Sequence, residues 1–231
     1  EALLAEQVWY LRPKANFVYA RIRSFPSSFR IKGFFDYNGR QERVCLVDIK
    51  SSHPTLLCKV LRDYLLKQKA KGDIVDNALL ELDKYQALIE SGRMYEAIQG
   101  EERRKDSKLK FQKWLNGEGW HYQVINKWFE KEFAELFCII NAFKENHSYT
   151  PFHVHLRRLE AEIVMHSVGL FGRISLPAVP IIDEVMVPES RGEDAAYKLQ
   201  NIIFNKTQIR AVLSVDYCDA TQDGFAREVI Y

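Results

Sequence analysis

Arg43-Val44-Cys45-Leu46-Val47-Asp48-Ile49-Lys50-Ser51-Ser52-His53-Pro54-Thr55-Leu56-Leu57 decides how this chain is read. It begins as an apolar β-like run that ends on a carboxylate, Asp48. Just upstream, Gly33-Phe34-Phe35-Asp36-Tyr37 and the run from Arg43 flank Asn38-Gly39, a dipeptide that favours a tight hairpin turn, so a strand is expected on each side of it. Downstream, Pro54 suits a first helical turn. Leu56, Leu57, Val60, Leu61 and Leu65 recur at helical spacing until Lys71-Gly72-Asp73 breaks the pattern. A carboxylate that closes a strand, with a helix leaving the same loop, stands where a metal ion could be held.

A second acidic position lies far along the chain. Ala178-Val179-Pro180-Ile181-Ile182-Asp183 and Glu184-Val185-Met186-Val187 read as a tight hairpin with Asp183 at its bend. A helix over about 193–205 and a strand through Ile209-Arg210-Ala211-Val212-Leu213-Ser214-Val215 follow, completing an α+β layer. Between the two carboxylates, residues 74–149 carry almost wholly helical periodicity, including one long helix from Val124 through Phe133 to Ile140. Another helix starts at Pro151 and ends near Gly169 and Gly172. The stretch Arg103-Arg104-Lys105-Asp106-Ser107-Lys108-Leu109-Lys110-Phe111-Gln112-Lys113-Trp114-Leu115-Asn116 is cationic and suited to gripping a polyphosphate. Residues 1–31 are amphipathic and then basic, with Arg21, Arg23 and Arg30 around a turn-rich segment.

The chain has 231 residues, 47% of them hydrophobic, enough for one large domain or two small ones with a real core. Its formal net charge of +2 means that any nucleic-acid affinity must come from a local patch. Cys45, Cys58, Cys138 and Cys218 are scattered, without zinc-site spacing, and are expected to be reduced and mostly buried. No apolar stretch reaches the ~20 residues of a membrane span, and no signal-peptide pattern is present, so a cytoplasmic setting without a membrane partner is expected. A first residue that is Glu1 rather than methionine suggests a piece of a longer protein with flanking domains.

Each feature also has a plainer reading. An aspartate after a strand is commonly a turn or capping residue. Asp183-Glu184 alone could be a solvated hairpin tip, and the basic stretch, with Glu101, Glu102 and Asp106 beside it, a charged helix face. His153, His155, Glu160 and His166 have no spacing that gathers three ligands. Trp114 and Trp128 are expected in the core, while Trp120, beside two glycines, is the tryptophan open to nucleotide stacking.

In order along residues 32–216, these motifs resemble the palm of DNA polymerases, most closely a divergent member of the family A group related to bacterial polymerase I. Asp48 through Leu57 is similar to polymerase motif A, and in detail to the family B form, Asp-x-x-Ser-Leu-Tyr-Pro-Ser. Lys113-Trp114-Leu115-Asn116-Gly117 resembles the family A fingers motif Lys-x-x-Asn-Phe-Gly, without its aromatic-glycine ending. Ile182-Asp183-Glu184-Val185 resembles the His-Asp-Glu hairpin of motif C, with Ile182 where histidine is usual. Arg210 through Asp216 is similar to the closing palm strand.

The resemblance implies an α+β fold: a polymerase-like palm, an antiparallel sheet with packed helices, carrying an inserted helical fingers-like lobe. Its parts are a basic segment at 1–31, palm at 32–73, fingers-like insertion at 74–149 and palm again at 150–231. It implies a template-dependent nucleotidyltransferase that adds nucleotides, dNTPs by preference, to a nucleic-acid 3′ end by two-metal phosphoryl transfer, in phage or plasmid replication. Asp48 and Asp183 would bridge two Mg²⁺ ions, or Mn²⁺ in their place, with the Ile49 carbonyl as a further ligand and Glu184 auxiliary. Lys113, Lys110 and Arg104 would grip the triphosphate, Lys113 beside the leaving group, with Asn116 on the nucleotide. His53 falls at the sugar-discriminating position. Arg21, Arg23, Arg30, Arg157 and Arg158 would follow the phosphates of a primer–template. Nucleoside triphosphates and replication proteins or domains outside this chain are the implied partners. The competing functions are a non-catalytic nucleic-acid-binding replication scaffold with a degenerate palm, and a metal-dependent nuclease using the same two aspartates.

Overall fold

The computed structural model describes residues 34–118, 122–146, 150–218 and 225–230, so Arg21, Arg23, Arg30 and Trp120 lie outside the described residues. Among the described residues the chain is α+β, with eight α-helices and one antiparallel sheet. Strands β1 (Phe34–Tyr37) and β2 (Arg40–Ile49) are joined by Asn38 and Gly39, at φ 53° and 72°. Those left-handed angles make a two-residue turn whose twist matches that of the flanking strands, as the Asn-Gly pair predicts. β3 (Val179–Ile181) and β4 (Glu184–Pro188) form the second hairpin, and β5 (Leu213–Cys218) and β6 (Phe225–Ile230) complete the sheet. The order is β3-β4-β2-β5-β6, with β1 pairing the outer half of β2. β2 is therefore central, and Val44, Cys45, Leu46, Val47 and Ile49 are buried on both of its faces.

The closing strand starts at Leu213, not Ile209. β2 ends at Ile49, which pairs with Leu213, so residues 209–212 have no neighbouring strand to continue the ladder. Ile209, Ala211 and Val212 are buried, which strand-like composition alone does not distinguish from pairing.

The helices are α1 (Ser52–Ala70), α2 (Asp76–Glu90), the short α3 (Glu96–Gln99), α4 (Arg104–Lys113), α5 (Gln123–Glu132), α6 (Ala134–Asn146), α7 (Thr150–Arg173) and α8 (Gly192–Thr207). The single long helix expected through Ile140 is two helices. Phe133, at φ −148° and ψ 56°, leaves helical geometry between α5 and α6. Its ring packs edge-on to Tyr85 at 5.6 Å and to Trp128 at 5.2 Å. The new helix start is satisfied from outside, since the Leu136 amide donates to Glu81 Oε2 at 3.0 Å. Aromatic burial outweighs helical continuity there. Helix α7 runs past Gly169 and Gly172 to Arg173, and a Cβ at either glycine would meet open space.

The chain divides into two compact units. One comprises 34–50, 158–206, 210–218 and 225–230: the sheet, the later part of α7 and nearly all of α8. At the start of α8, a Cβ on Gly192 would lie 2.7 Å from Cys45 Sγ and 2.8 Å from Val215 Cγ1, so glycine permits the helix to close on that face of the sheet. The other unit comprises 51–157 and 207–209, so α1 groups with the helices. Its centre is an aromatic cluster in which Phe129 stacks on Trp114 at 4.8 Å and contacts Phe111, Tyr85, Trp128, Phe133 and Phe137. Trp114 and Trp128 are thus core residues. Cys45 and Cys58 are buried thiols, whereas Cys138 is exposed, and all three are free. Among the described residues, no helix is long and apolar enough to cross a membrane.

Candidate functional site

In the sheet unit, the two distant acidic motifs lie on neighbouring strands. Asp48 stands opposite Glu184 of β4 on one side and Ser214 of β5 on the other. Directly opposed residues of an antiparallel pair have Cα atoms ~4.5–5.5 Å apart and share a face of the sheet. Glu184, Asp48 and Ser214 therefore form a row across three strands. Asp183 joins this row through the turn: Ile181 pairs with Glu184, leaving Ile182 and Asp183 as the two turn residues. The Ile49 amide donates to the Asp183 carbonyl at 3.3 Å, tying that turn to the end of β2.

Ile182 holds φ 56°. A β-branched residue in the left-handed region is strained, by about 1–3 kcal/mol, and persists only where its surroundings enforce it. The strain falls on the residue that sets the position of Asp183.

Side chains alternate along strands, so Leu46, Met186 and Asp216 share the face of Asp48. Val44, Leu46, Val179, Ile181 and Met186 form an apolar cluster there, with Phe35 packed against it. The face is thus an apolar floor with acidic residues set into it. Asp48, Asp183 and Glu184 are half-buried, and Asp216, opposite Leu46, is buried. Ser214 is fully buried and its Oγ has no hydrogen-bond partner among the described residues.

These are hard oxygen donors, the type that Mg²⁺ selects. Among the described residues there is no group of three or more His, Cys, Asp or Glu side chains arranged to hold a metal ion. Mg²⁺ seldom needs one, because it keeps several waters and is commonly held by one or two carboxylates together with substrate phosphates. Asp48 and Asp183, with the orphaned Ser214 hydroxyl in the same row, fit that mode.

The cations of the basic stretch lie in the helical unit. On α4, Arg104 pairs with Glu96 at 2.6 Å and lies over the Tyr95 ring, while Lys110 pairs with Asp106 at 2.6 Å. Lys113 and Asn116 are exposed. The α4 cation that acts on His53 is Lys108, half-buried one turn beyond Arg104. His53, in the first turn of α1, meets His153 of α7 edge-on, with ring centroids 5.9 Å apart. Burial, followed by the neighbouring His153, Arg157 and Lys108, lowers the His53 pKa to about 4. Burial and then Arg157 lower that of His153 to about 4 as well. Arg157 is half-buried in this unit, whereas Arg158 is exposed and belongs to the sheet unit.

Ser51 holds the cap position of α1, yet its side chain makes no cap hydrogen bond, and its buried Oγ has no partner among the described residues. The helix starts instead with the Thr55 amide and hydroxyl both donating to the Ser51 carbonyl, at 2.9 and 2.8 Å. The exit of α4 is held from the core. Lys144 of α6 donates to the Trp114 carbonyl at 2.9 Å and lies 3.5 Å from the centre of the Trp114 ring. Burial lowers its pKa to about 7.

Sequence reasoning missed Lys108, His153, Ser214 and Asp216. Alternation in Ser214-Val215-Asp216 was the available signal for the last two, but their pairing with β2 is not written in the local pattern. No protein-family model matches the chain, and no curated protein matches it.

Proposed function

We propose that the chain is a template-dependent nucleotidyltransferase that extends a nucleic-acid 3′ end by two-metal phosphoryl transfer, with the antiparallel sheet as a palm and the helical unit as fingers. The observation that carries this reading is the register of Asp48 opposite Glu184, with Asp183 in the adjoining turn. Two acidic motifs separated by more than a hundred residues share one end of one sheet, in the chain order a polymerase uses.

Phosphoryl transfer is catalysed chiefly by positioning and by neutralising charge on the phosphoryl oxygens. Asp48 and Asp183 hold the carboxylate side of the reaction, and Glu184 supports them from β4. When bound, Mg²⁺ supplies an acidified attacking hydroxyl and charge neutralisation at the leaving oxygens. Positive charge for the triphosphate is assigned to Lys113, exposed at the end of α4. Arg104 is paired with Glu96 of α3 and Lys110 with Asp106 one turn back on α4, so each already has a carboxylate partner. The protein tracks nucleic-acid backbones while base pairing supplies the sequence, so binding weakens steeply with salt.

The test is extension of a labelled primer on a template with Mg²⁺ and each nucleotide pool. Templated incorporation that requires triphosphates supports the reading. Degradation of the substrate without triphosphates makes the protein a nuclease, and binding of primed template without chemistry makes it a scaffold.

A further inference from the structure

Ser214 interrupts an apolar run, Ala211-Val212-Leu213-Ser214-Val215, and is fully buried, yet its Oγ has no hydrogen-bond partner among the described residues. A hydroxyl in that state is less stable than an alkyl group of the same size, because it has given up water and gained no bond in return. The strand register shows where a partner stands. On β6 the residue opposite Ser214 is Val229, whose side chain has no polar atom, and on β2 it is Asp48. Asp216, the next residue of β5 on the same face, is ~7 Å farther along the strand.

The ladder also fixes how the two residues are placed. The Lys50 amide donates to the Val212 carbonyl at 3.0 Å, which makes those residues a hydrogen-bonded pair and Asp48–Ser214, two residues along, another. Cα atoms in such pairs are ~5.5 Å apart, with both side chains on one face. A serine Oγ and a carboxylate oxygen so placed come within hydrogen-bond reach by side-chain rotation alone. Asp48 has interactions of its own, and a carboxylate with two oxygens and about four acceptor sites takes a further donor alongside them.

We propose that Ser214 is the positioning residue for Asp48, its hydroxyl donating to one carboxylate oxygen while the other holds a divalent cation. The inference rests on the metal-binding role given to Asp48 above and adds to it the group that aims the carboxylate.

The strand order supplies the physical reason. Glu184 faces Asp48 from β4, and Ser214 faces it from β5, on the opposite side. Like charges directly opposed on neighbouring strands repel, and a donor on the far side stabilises the ionised Asp48 without covering the oxygen that faces β4. A hydroxyl bonded to a charged acceptor makes about twice as strong a bond as one to a neutral acceptor. Metal-ligating carboxylates are commonly held in one orientation by such a bond. The buried hydroxyl therefore destabilises the metal-free fold and stabilises the metal-bound one.

The test replaces Ser214 by threonine, valine and alanine in the full chain. Threonine and valine have one shape and differ in the hydroxyl, so comparing them removes packing from the result. Mn²⁺ alone, without substrate, is titrated and followed by loss of the free-ion electron paramagnetic resonance signal. The site counted is the one that Asp48→Asn abolishes. Ser214→Thr should bind Mn²⁺ about tenfold or more tightly than Ser214→Val, and wild type should exceed Ser214→Ala by a similar factor, the usual effect of removing a group that orients a metal ligand. Without metal, the thermal midpoint of Ser214→Val should equal or exceed that of Ser214→Thr, because no hydrogen bond is lost. A serine retained for stability alone would give the opposite pattern, a lowered midpoint with unchanged Mn²⁺ affinity. Equal affinity in the folded threonine and valine variants overturns the proposal, as does equal affinity in wild type and Ser214→Ala, or a wild-type chain with no Asp48-dependent Mn²⁺ site. Mn²⁺ binding that needs both Asp48 and the Ser214 hydroxyl, in a chain that never extends a primer, leaves this role standing and removes the polymerase reading. Primer extension with the same rate and Mg²⁺ dependence in the threonine and valine variants does the reverse.

Discussion

Asp48 on the central strand β2 stands directly opposite Glu184 on β4, and the next amide along β2, that of Ile49, is hydrogen-bonded to the carbonyl of Asp183. A strand and a hairpin distant in sequence are thereby locked so that their carboxylates share one end of the sheet. A one-residue slip would carry Asp48 to the other face, where Cys45 and Val215 pack against the start of α8. The apolar residues that alternate with Asp48 enforce the register, so the position of the carboxylate follows from core packing.

Gly192 is the point of closest approach between α8 and the sheet. Its replacement by alanine puts a methyl group 2.7 Å from Cys45 Sγ and 2.8 Å from Val215 Cγ1, well inside ordinary contact. Gly192→Ala should lower the unfolding free energy by about 1–3 kcal/mol, the usual cost of overpacking a closed interface. Urea denaturation at neutral pH reads this directly, and an unchanged midpoint would mean that the helix can retreat from the sheet at no cost.

Phe129 is the hub of the helical unit, fully buried and in ring contact with Trp114, Phe111, Tyr85, Trp128, Phe133 and Phe137. Phe129→Ala leaves a cavity that the surrounding rings cannot fill without giving up their stacking, and should cost about 3–5 kcal/mol. The loss should appear as a lowered thermal midpoint with near-ultraviolet aromatic signals collapsing at a lower temperature than in wild type. A cost below about 1 kcal/mol would show that the cluster repacks freely.

Lys144 gives the protein a specific pH dependence. Its folded pKa of about 7 lies below the unfolded lysine value because burial penalises the ammonium. Above pH 7 the unfolded chain binds a proton that the folded chain does not, so stability rises with pH in that window, by up to about 1.4 kcal/mol per pH unit. Cys45 and Cys58, pushed up to about 12 by burial, act in the opposite sense once the unfolded thiols ionise. The comparison therefore belongs between pH 7 and 8, as the difference between wild type and Lys144→Met. The stability of wild type relative to the variant should climb with pH, and a flat difference would place the Lys144 charge in water.

Much of this architecture is legible in the residues. Asn38-Gly39 announces its hairpin because few other residues accept two successive left-handed conformations, and Asp183 falls at a bend because only two residues separate the paired runs. The break at Phe133 is hidden, since hydrophobic periodicity continues across it and only the surrounding rings reveal why the backbone turns. The choice among the α4 lysines is hidden for a similar reason. A repeat of Lys108, Lys110 and Lys113 states that the helix is basic, while which of them bears electrostatically on His53 depends on the helix face that Phe111 and Trp114 turn into the core. The alliance of Asp48 with Ser214 depends on non-local strand register, which no local window contains.

The central claim is that Asp48 and Asp183 act together, and the most direct measurement is primer extension by Asp48→Asn and Asp183→Asn, each compared with wild type under Mg²⁺. Asparagine preserves shape and removes charge. Both variants should lose incorporation while keeping the wild-type thermal midpoint. Extension at the wild-type rate by either folded variant would contradict the account.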